Sequence, residues 1–441
     1  MSKWNRCVLA GVVPGGLALA LLMGACPCGA QDLNPSGLLT VEECVAIALD
    51  RSDLLGQAEG GLQSARGSHW TQYQSVLPRV SASAGWRREF ADYIAVTGIQ
   101  YVGSMGLRVD QNLLTLEGIQ GIRSSKQALR AARADLAATR DEVEVTARGQ
   151  FYACVAALRL ADVEESAVAL AQEQLRRSET LFRLGSVARS DVLQAQVNLA
   201  EAAQIATQRR NGVRVEVARL ALVMGLDPRT KLAIDSSLVA AEEPPAGELD
   251  DWVERAMGAR PDLRAAEARL RAAEISKLGA QYQRLPTISA SASWNRSARD
   301  LEDEFLRGDY AKYDNSWSLS VGVSLSLFNG LLTEGRIESA KGECRTRQEA
   351  LERLQKDIAL DVASAFLDIY EEIENLKAAR SSVSLAAENL RLQQALYESG
   401  AGTLLEWDNA RLDLRRARVT LIQAEISLLL AHARFRSAIA A

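Results

Sequence analysis

The sequence predicts a mainly α-helical protein with a small β part, built as an internal duplication. Three observations predict it. Hydrophobic residues make up 48% of the 441 but aromatics only 5%, a balance that favours long helices packed through small residues. All nine prolines lie at 14, 27, 35, 78, 228, 244, 245, 261 and 286, so residues 79–227 and 287–441 have none and long helices are permitted there. Sliding the chain by 208 positions lays Val41–Trp86 on Leu249–Trp294 without a gap. Leu55 then falls on Leu263, Ala58 on Ala266, Glu59 on Glu267 and Leu62 on Leu270, spacings that keep one helical face in register. Farther on, at an offset of 215, Phe182, Gly185 and Asp191 meet Tyr397, Gly400 and Glu406.

The chain opens on a processing segment. Lys3 and Arg6 precede an uncharged stretch from Cys7 to Met23 with small residues after it, the pattern of a secretory signal. Cleavage after Ala30 is the preferred reading. Cleavage before Cys26, in Leu22-Met23-Gly24-Ala25-Cys26, resembles a lipoprotein signal and stands as the alternative, with lipidation at Cys26. Removal of residues 1–30 takes away two of the 51 basic residues and none of the 56 acidic ones, so the charge moves from -5 to 49 minus 56, or -7. Cys44, Cys154 and Cys344 then remain, an odd and scattered set that reads as small apolar helix residues rather than a disulfide framework.

After the leader, a first repeat runs over 31–240, with a hairpin at 79–112 and long helices over 119–225. An acidic Pro-rich connection, 241–248, leads to a second repeat over 249–441, with a hairpin at 287–328 and long helices over 333–440. Between Gly121 and Gly185 the one glycine is Gly149, a run that makes a rod of roughly 95 Å if helical throughout. Ile358, Val362, Phe366 and Ile369 recur at three and four residues, the stripe of a helix packed on helices. After Leu77-Pro78 and Leu285-Pro286 the period changes to two. Ile288, Ala290, Ala292 and Trp294 alternate with serines, and Trp317, Leu319, Val321 and Val323 with Ser318, Ser320 and Gly322. Tyr101, Gly103, Met105 and Leu107 repeat the pattern on the strand that follows Trp86. The polar stretches Arg87–Thr97 and Asn295–Asn315 read as loops. Alternating segments with Trp or Tyr near an end (Trp86, Tyr101, Trp294, Trp317) suit a membrane β-barrel, with a soluble sheet edge as the other reading. Four strands cannot close a barrel, since bacterial barrels have at least about eight, so the membrane reading demands an oligomer.

Several function classes fall away. A net acidic chain lacks the electrostatic attraction to phosphate that nucleic-acid binding requires. Two distant histidines, His69 and His432, and the lack of any C-x-x-C give no support to a metal or cofactor site. No G-x-S-x-G and no H-E-x-x-H is present, and Gly400-Ala401-Gly402 has no lysine partner for a phosphate loop, so an enzyme is not expected. His69 reads as packing or surface, and Glu371, Glu372 and Glu374 as a solvated face.

The duplicated order of short helix, long helix, Leu-Pro, hairpin and two long helices resembles the TolC family of outer-membrane efflux proteins. Leu39-Thr40-Val41-Glu42-Glu43-Cys44 is similar to the family's start, and Leu327-Phe328-Asn329-Gly330 to its strand-to-helix exit. Leu184-Gly185-Ser186-Val187-Ala188-Arg189-Ser190-Asp191 and Ser399-Gly400-Ala401-Gly402-Thr403-Leu404-Leu405-Glu406 resemble its two periplasmic turns. The resemblance implies a homotrimer, with a 12-stranded barrel in the outer membrane continued by a 12-helix α-barrel across the periplasm. It implies a periplasmic adaptor and an inner-membrane pump as partners, outer-membrane lipid around the barrel, and a passive exit duct for drugs, metals or other small toxic solutes. A protein-secretion duct of the same architecture and a poreless periplasmic scaffold remain as alternatives.

The same resemblance places function at the turns. Gly185 and Gly400 are expected to end helices in the left-handed conformation, and Ser190 with Asp191, and Thr403 with Glu406, to cap the returning helices. Gly185, Ser186, Val187, Ser190, Asp191, Gly400, Gly402 and Thr403 would form the adaptor-docking tips. Glu406 would line the closed entrance, with Asp408 beside Asn409, where the family's second acidic position falls. Gly402 stands where some members have a locking arginine, and Asp191 remains as one half of such a lock.

Overall fold

In the computed structural model the described residues are 38–93, 96–185, 187–237, 243–299, 314–399 and 401–440. The leader with Cys26, Ser186 and Gly400 lie outside them, as does the side chain of Tyr101. The elements recur in one order. The first series is β1 (Leu38–Leu39), α1 (Val41–Arg51), α2 (Asp53–Gln72), β2 (Arg79–Tyr93), β3 (Val96–Leu114), α3 (Leu116–Arg183) and α4 (Arg189–Val223). The second is β4 (Ala233–Ile234), α5 (Leu249–Ala259), α6 (Pro261–Tyr282), β5 (Thr287–Arg299), β6 (Asp314–Ser324), α7 (Leu332–Glu398) and α8 (Leu404–Ala438).

Each start has a local cause. Thr40 caps α1 in a capping box with Glu43, and Pro261 at the first turn of α6 lacks the N–H that a helix start leaves free anyway. α3 runs 68 residues and α7 67, about 100 Å each at 1.5 Å per residue. Rods of that length are held by what packs along them. On α7 Ile358, Val362, Ala365, Ile369, Ile373, Leu376 and Ala379 are buried at three- and four-residue steps. Toward the turn between α3 and α4, Ala171 of α3 and Ala195, Ala202 and Ala206 of α4 are buried, small side chains that let helices approach closely.

Two apolar clusters form the core near the middle of the rods. Cys44, Val143, Phe151, Cys154, Leu220, Met224 and Ile426 make one, and Ala256, Ile358, Ile369, Leu428 and Phe435 make the other. α8 contributes to both, and Leu429 packs against each. Burial pushes the Cys44 and Cys154 thiols up to about 12, so both behave as small apolar side chains. Cys344 on α7 is buried as well.

The four long strands form one sheet in the order β2-β3-β5-β6, antiparallel throughout. Three expectations change here. The stretch expected as a loop at Asn295–Asn315 is strand through Arg299 and again from Asp314, because the neighbouring strands continue to pair with it. The stretch expected as a loop at Arg87–Thr97 is strand up to Tyr93 and again from Val96, because the ladder continues through Arg88↔Tyr101 to Tyr93↔Val96 after the apolar alternation has ended. Backbone pairing itself needs no apolar face. Conversely, β6 stops at Ser324, paired with Thr287, although the apolar alternation runs on through Leu325 and Leu327. The chain then turns into α7 through Gly330 and Leu331, both at φ 69°.

Gly225 ends α4 at φ 69°, and a Cβ there would sit 2.2 Å from the Arg51 carbonyl oxygen at the end of α1. Gly225→Ala is therefore expected to lower stability by roughly 2–4 kcal/mol through left-handed strain and the clash together. Gly149→Ala, whose Cβ would meet Leu430 at an ordinary 3.7 Å, should be neutral or better. Thermal midpoints of the two detergent-solubilised variants check the contrast.

Candidate functional site

The sheet has two chemically different faces. On one, Val80, Ala82, Ala84 and Trp86 of β2 lie level with Val109, Leu107, Met105 and Gly103 of β3. Ile288, Ala290, Ala292 and Trp294 of β5 face Val323, Val321, Leu319 and Trp317 of β6. This apolar side is open in the single chain: Trp317 is 79% exposed and Leu319 80%. Trp294 and Trp317 are direct partners with ring centroids 6.2 Å apart. From Trp317 to Ser324, seven steps at about 3.3 Å and a tilt near 40° span about 18 Å, most of the height of a barrel's lipid-facing band. The other face is small and hydroxylated. Ser291 and Ser320, and Ser293 and Ser318, share hydrogen bonds of 2.7 Å across the ladder. Arg108 Nε donates to both Asp110 carboxylate oxygens at 2.9 Å on the same side.

At the far ends of the rods, the first turn is closed by backbone alone. α3 ends at Arg183, Gly185 takes φ 73° and its N–H donates to the Phe182 carbonyl, the expected left-handed stop. The returning helix α4 begins after Ala188, with no side-chain cap. Ser190 thus lies one residue inside the helix and donates to Asp191 rather than capping, which corrects the expectation for that hydroxyl. Val187 precedes this helix as a half-buried residue. The second turn is capped as expected. Thr403 and Glu406 form a capping box: the Thr403 N–H and hydroxyl donate to Glu406 Oε2 at 2.9 and 2.8 Å, and the Glu406 N–H donates to Thr403 Oγ1 at 3.3 Å. The Gly402 N–H donates to the Leu396 carbonyl, and a Cβ on Gly402 would stand 3.0–3.2 Å from Leu396 and Tyr397, so the turn folds tightly against the end of α7. Tyr397 stacks on Trp407 across it, centroids 5.3 Å apart.

Glu406 and Asp408 do not share a face. Glu406 is fully exposed, and its bonds from Thr403 hold its carboxyl below the ordinary carboxylate value. Asp408, two residues on, is turned between the repeats. It accepts from Gln174 of α3 at 3.2 Å and from Asn198 of α4 at 3.3 Å, and pairs with Arg411 at 3.4 Å. Gln174 is buried and also accepts from Arg411. Arg159–Glu425 and Arg415–Glu164 bridge α3 and α8 farther up. Beside these contacts a cleft of 640 Å³ opens between α3, α4 and α8, lined by Asp191, Asn198, Glu201, Leu404, Arg415 and Arg418 among others. The polar seam between repeats was not legible in the sequence, because Gln174 and Asp408 are far apart in the chain and neither sits in a recognisable motif. His69 donates to or accepts from Ser125 and lies edge-on to Tyr73, a packing role. Among the described residues no helix is long and apolar enough to cross a membrane and no acidic, His or Cys cluster could hold a metal ion.

Thr403→Ala should cost about 1 kcal/mol of local helix stability. Glu406's lowered carboxyl means that the box's contribution is present at neutral pH and disappears as pH falls through that lowered value; loss of Thr403 returns the titration toward the ordinary range. Amide exchange of the first turn of α8 against pH reads both effects. Asp408→Ala, which strands Arg411 and Gln174 in the seam, should cost about 2–3 kcal/mol, measured by denaturant unfolding.

Comparison with known proteins gives these features a setting. Residues 252–441 match the family described as Outer membrane efflux protein. Protein CyaE of Bordetella pertussis is 28% identical over 414 residues, 91% of this chain and 84% of that protein. Outer membrane efflux protein BepC of Brucella suis is 26% identical over 349 residues, 76% of this chain and 71% of its own. In fold, the outer-membrane channel OprN superposes with a TM-score of 0.77 at 21% identity, over 90% of this chain and 89% of that one. A two-faced four-stranded sheet, rods of about 100 Å and tight turns at their far ends are the parts of such a channel, and the chain is similar along its length to TolC-like outer-membrane efflux channels, with its residues 252–441 matching the Outer membrane efflux protein family.

Proposed function

We infer that three copies of this chain form a passive exit duct in the outer membrane, which receives small toxic solutes from an inner-membrane pump through a periplasmic adaptor. The observation that carries the reading is the sheet. Its outer strands β2 and β6 each have a second edge with no pairing partner among the described residues, one face suits lipid, and the other is lined with serine. Such a sheet is stable in hydrocarbon when the edges of three copies meet, giving twelve strands and no open edge. The hydroxylated face then turns inward, where small side chains leave a wide wet bore. Transport follows the gradient that the pump sets up.

The far turns serve as the adaptor's seat. Gly185 and Gly402 make them compact, and Val187, Ser190 and Asp191 with Thr403 offer a mixed apolar and polar surface around them. Three exposed Glu406 side chains, brought near the axis by threefold symmetry, would form a ring that favours cations. Asp408 serves the seam within each copy instead, so the ring rests on Glu406 alone. Opening separates the tip helices, as adaptor and pump engage, along the polar seam that Asp408 and Arg411 now close.

The first test is the mass of the detergent-extracted protein and its conductance in a planar bilayer. A trimer with cation-selective steps is expected, and a water-soluble protein without current overturns the duct. Glu406→Ala should raise conductance or lower cation selectivity, while Thr403→Ala, which keeps the charge and loses the cap, should leave selectivity in place. Gly185→Val should weaken capture of an adaptor hairpin more than it lowers trimer yield; equal losses would remove the docking role.

A further inference from the structure

The duplication makes each contact between the two repeats a template for one that a single chain lacks. The long helices correspond at the offset of 215 without a gap, α3 with α7 and α4 with α8. Inside the chain α8 lies against α3, and β5 pairs with β3. The counterparts, α4 with α7 and β2 with β6, make no comparable interface among the described residues. Positions covered in the first case are open in the second. Tyr152 and Val155 of α3 are 8% and 0% exposed, in the apolar cluster that α8 enters with Ile426 and Ala433. Their counterparts on α7, Leu367 and Tyr370, are 62% and 42% exposed. Leu430 of α8 packs against the same cluster and against Gly149 of α3, whereas its counterpart on α4, Val215, is exposed. Apolar side chains open at matching places indicate a missing protein surface. Because the two open surfaces are the two halves of an interface that the chain already makes with itself, the cover that fits is a second copy.

Charge and register agree with that fit. Arg159 of α3 donates to Glu425 of α8 at 2.7 Å. The counterparts are Glu374 on α7 and Arg210 on α4, again an acid and a base, with the signs exchanged. Both are exposed in the single chain, where Glu374 accepts from Lys377 and Arg210 donates to Glu165 of α3, each at 2.7 Å. A guanidinium has five donors, so Arg210 can keep Glu165 and still meet a second carboxylate. In the sheet, Val80 pairs with Val109 and Ile288 with Val323, so Val109 and Val323 correspond, as do Ala84 and Ala292. Val109 pairs with Ala292 inside the chain. Val323 therefore falls opposite Ala84 of the partner subunit, Ser324 opposite the partner's Ser83, Leu325 opposite the partner's Ala82 and Ser326 opposite the partner's Ser81. Apolar residues meet apolar ones and hydroxyls meet hydroxyls, whereas a slip of one residue would reverse every side. The alternation of β6 beyond Ser324 thereby gains a strand to pair with.

We propose that successive copies dock as the second repeat docks on the first: α7 and β6 of one copy receive α4 and β2 of the next, with Glu374 paired to Arg210 of the partner subunit and Val323 level with the partner's Ala84. The proposal rests on the trimeric duct above and assigns its contact surface, its strand register and an ion pair that no single chain contains.

The test uses the full-length protein extracted in detergent, with the trimer-to-monomer ratio read by native mass spectrometry. Glu374→Arg and Arg210→Glu, made singly, each set like charges at every contact around the ring and should lower that ratio at least about fivefold. The double exchange should bring it back to within about twofold of the wild type. A double variant no better than the single ones overturns the ion pair. Because a reversed charge can also block assembly outright, cysteine pairs give a second reading. Ser83→Cys with Ser324→Cys should yield covalent trimers under oxygen and a copper catalyst. Ser83→Cys with Ser326→Cys, and Ser81→Cys with Ser324→Cys, set the thiols on diagonal positions about 7–8 Å apart and should yield at least about tenfold less. Preferred bridging by a diagonal pair, or no bridge in a protein that is trimeric by mass, overturns the register. A wild type that is monomeric by mass would instead sink the trimeric duct itself.

Discussion

The constraint on which the rest depends is the unpaired edge. A sheet in lipid must satisfy every backbone N–H and carbonyl internally, and four strands with two open edges cannot do so. One chain is therefore structurally incomplete at its sheet however well its helices pack. Duplication supplies four strands where a single unit would supply two, and symmetry supplies the remainder. The helices inherit the same geometry. Each hairpin delivers its chain to the start of a long rod, at Leu116 and at Leu332, so a ring of strands above enforces a ring of rods below.

The rods meet the opposite problem. At about 100 Å a helix has far more side to cover than one neighbour can bury, and the chemistry of the cover changes along its length. Near the middle, Phe151, Leu220, Ile369, Leu428 and their neighbours are fully buried, and the short helices α1, α2, α5 and α6 thicken the structure there. Toward the tips the buried residues shrink to alanines within each repeat and become polar between repeats, with Gln174, Glu164, Asp408 and Arg411 in the seam. The stiffest packing thus lies where the rods are anchored and the loosest where they reverse.

Much of this was legible in the sequence because it is periodic. The stripe at Ile358, Val362 and Ile369, the two-residue alternation at Ile288–Trp294 and the prolines that separate the two regimes are all local signals. The glycine stop at Gly185 and the capping box at Thr403 and Glu406 are local too. The departures came where the cause was not local. The strands extend to Tyr93 and from Val96 because a partner strand is present, which hydropathy does not record. β6 ends at Ser324 although its pattern continues, because β5 begins at Thr287 and nothing remains to pair with it. Ser190 looked like a cap on composition, but the helix starts one residue earlier. Asp408 read as a companion of Glu406, yet a spacing of two turns it about 200° away around the helix, toward α3 and α4.

In the proposed duct, the seam lets one chain be both rigid and able to open. Separating α8 from α3 through an apolar interface would expose greasy surface along the whole rod, an unfavourable step that water cannot repair. Separating it at Asp408, Gln174, Asn198 and Arg411 exposes groups that water can satisfy, so the net loss is limited to the difference between protein and water hydrogen bonds. Within each repeat the alanine contacts of α3 with α4 are undisturbed, because a rigid pair moves as one body. Polar contacts across the moving boundary and small apolar contacts inside each moving part are what a reversible gate requires, and the distribution of Gln174, Asp408 and the tip alanines provides both.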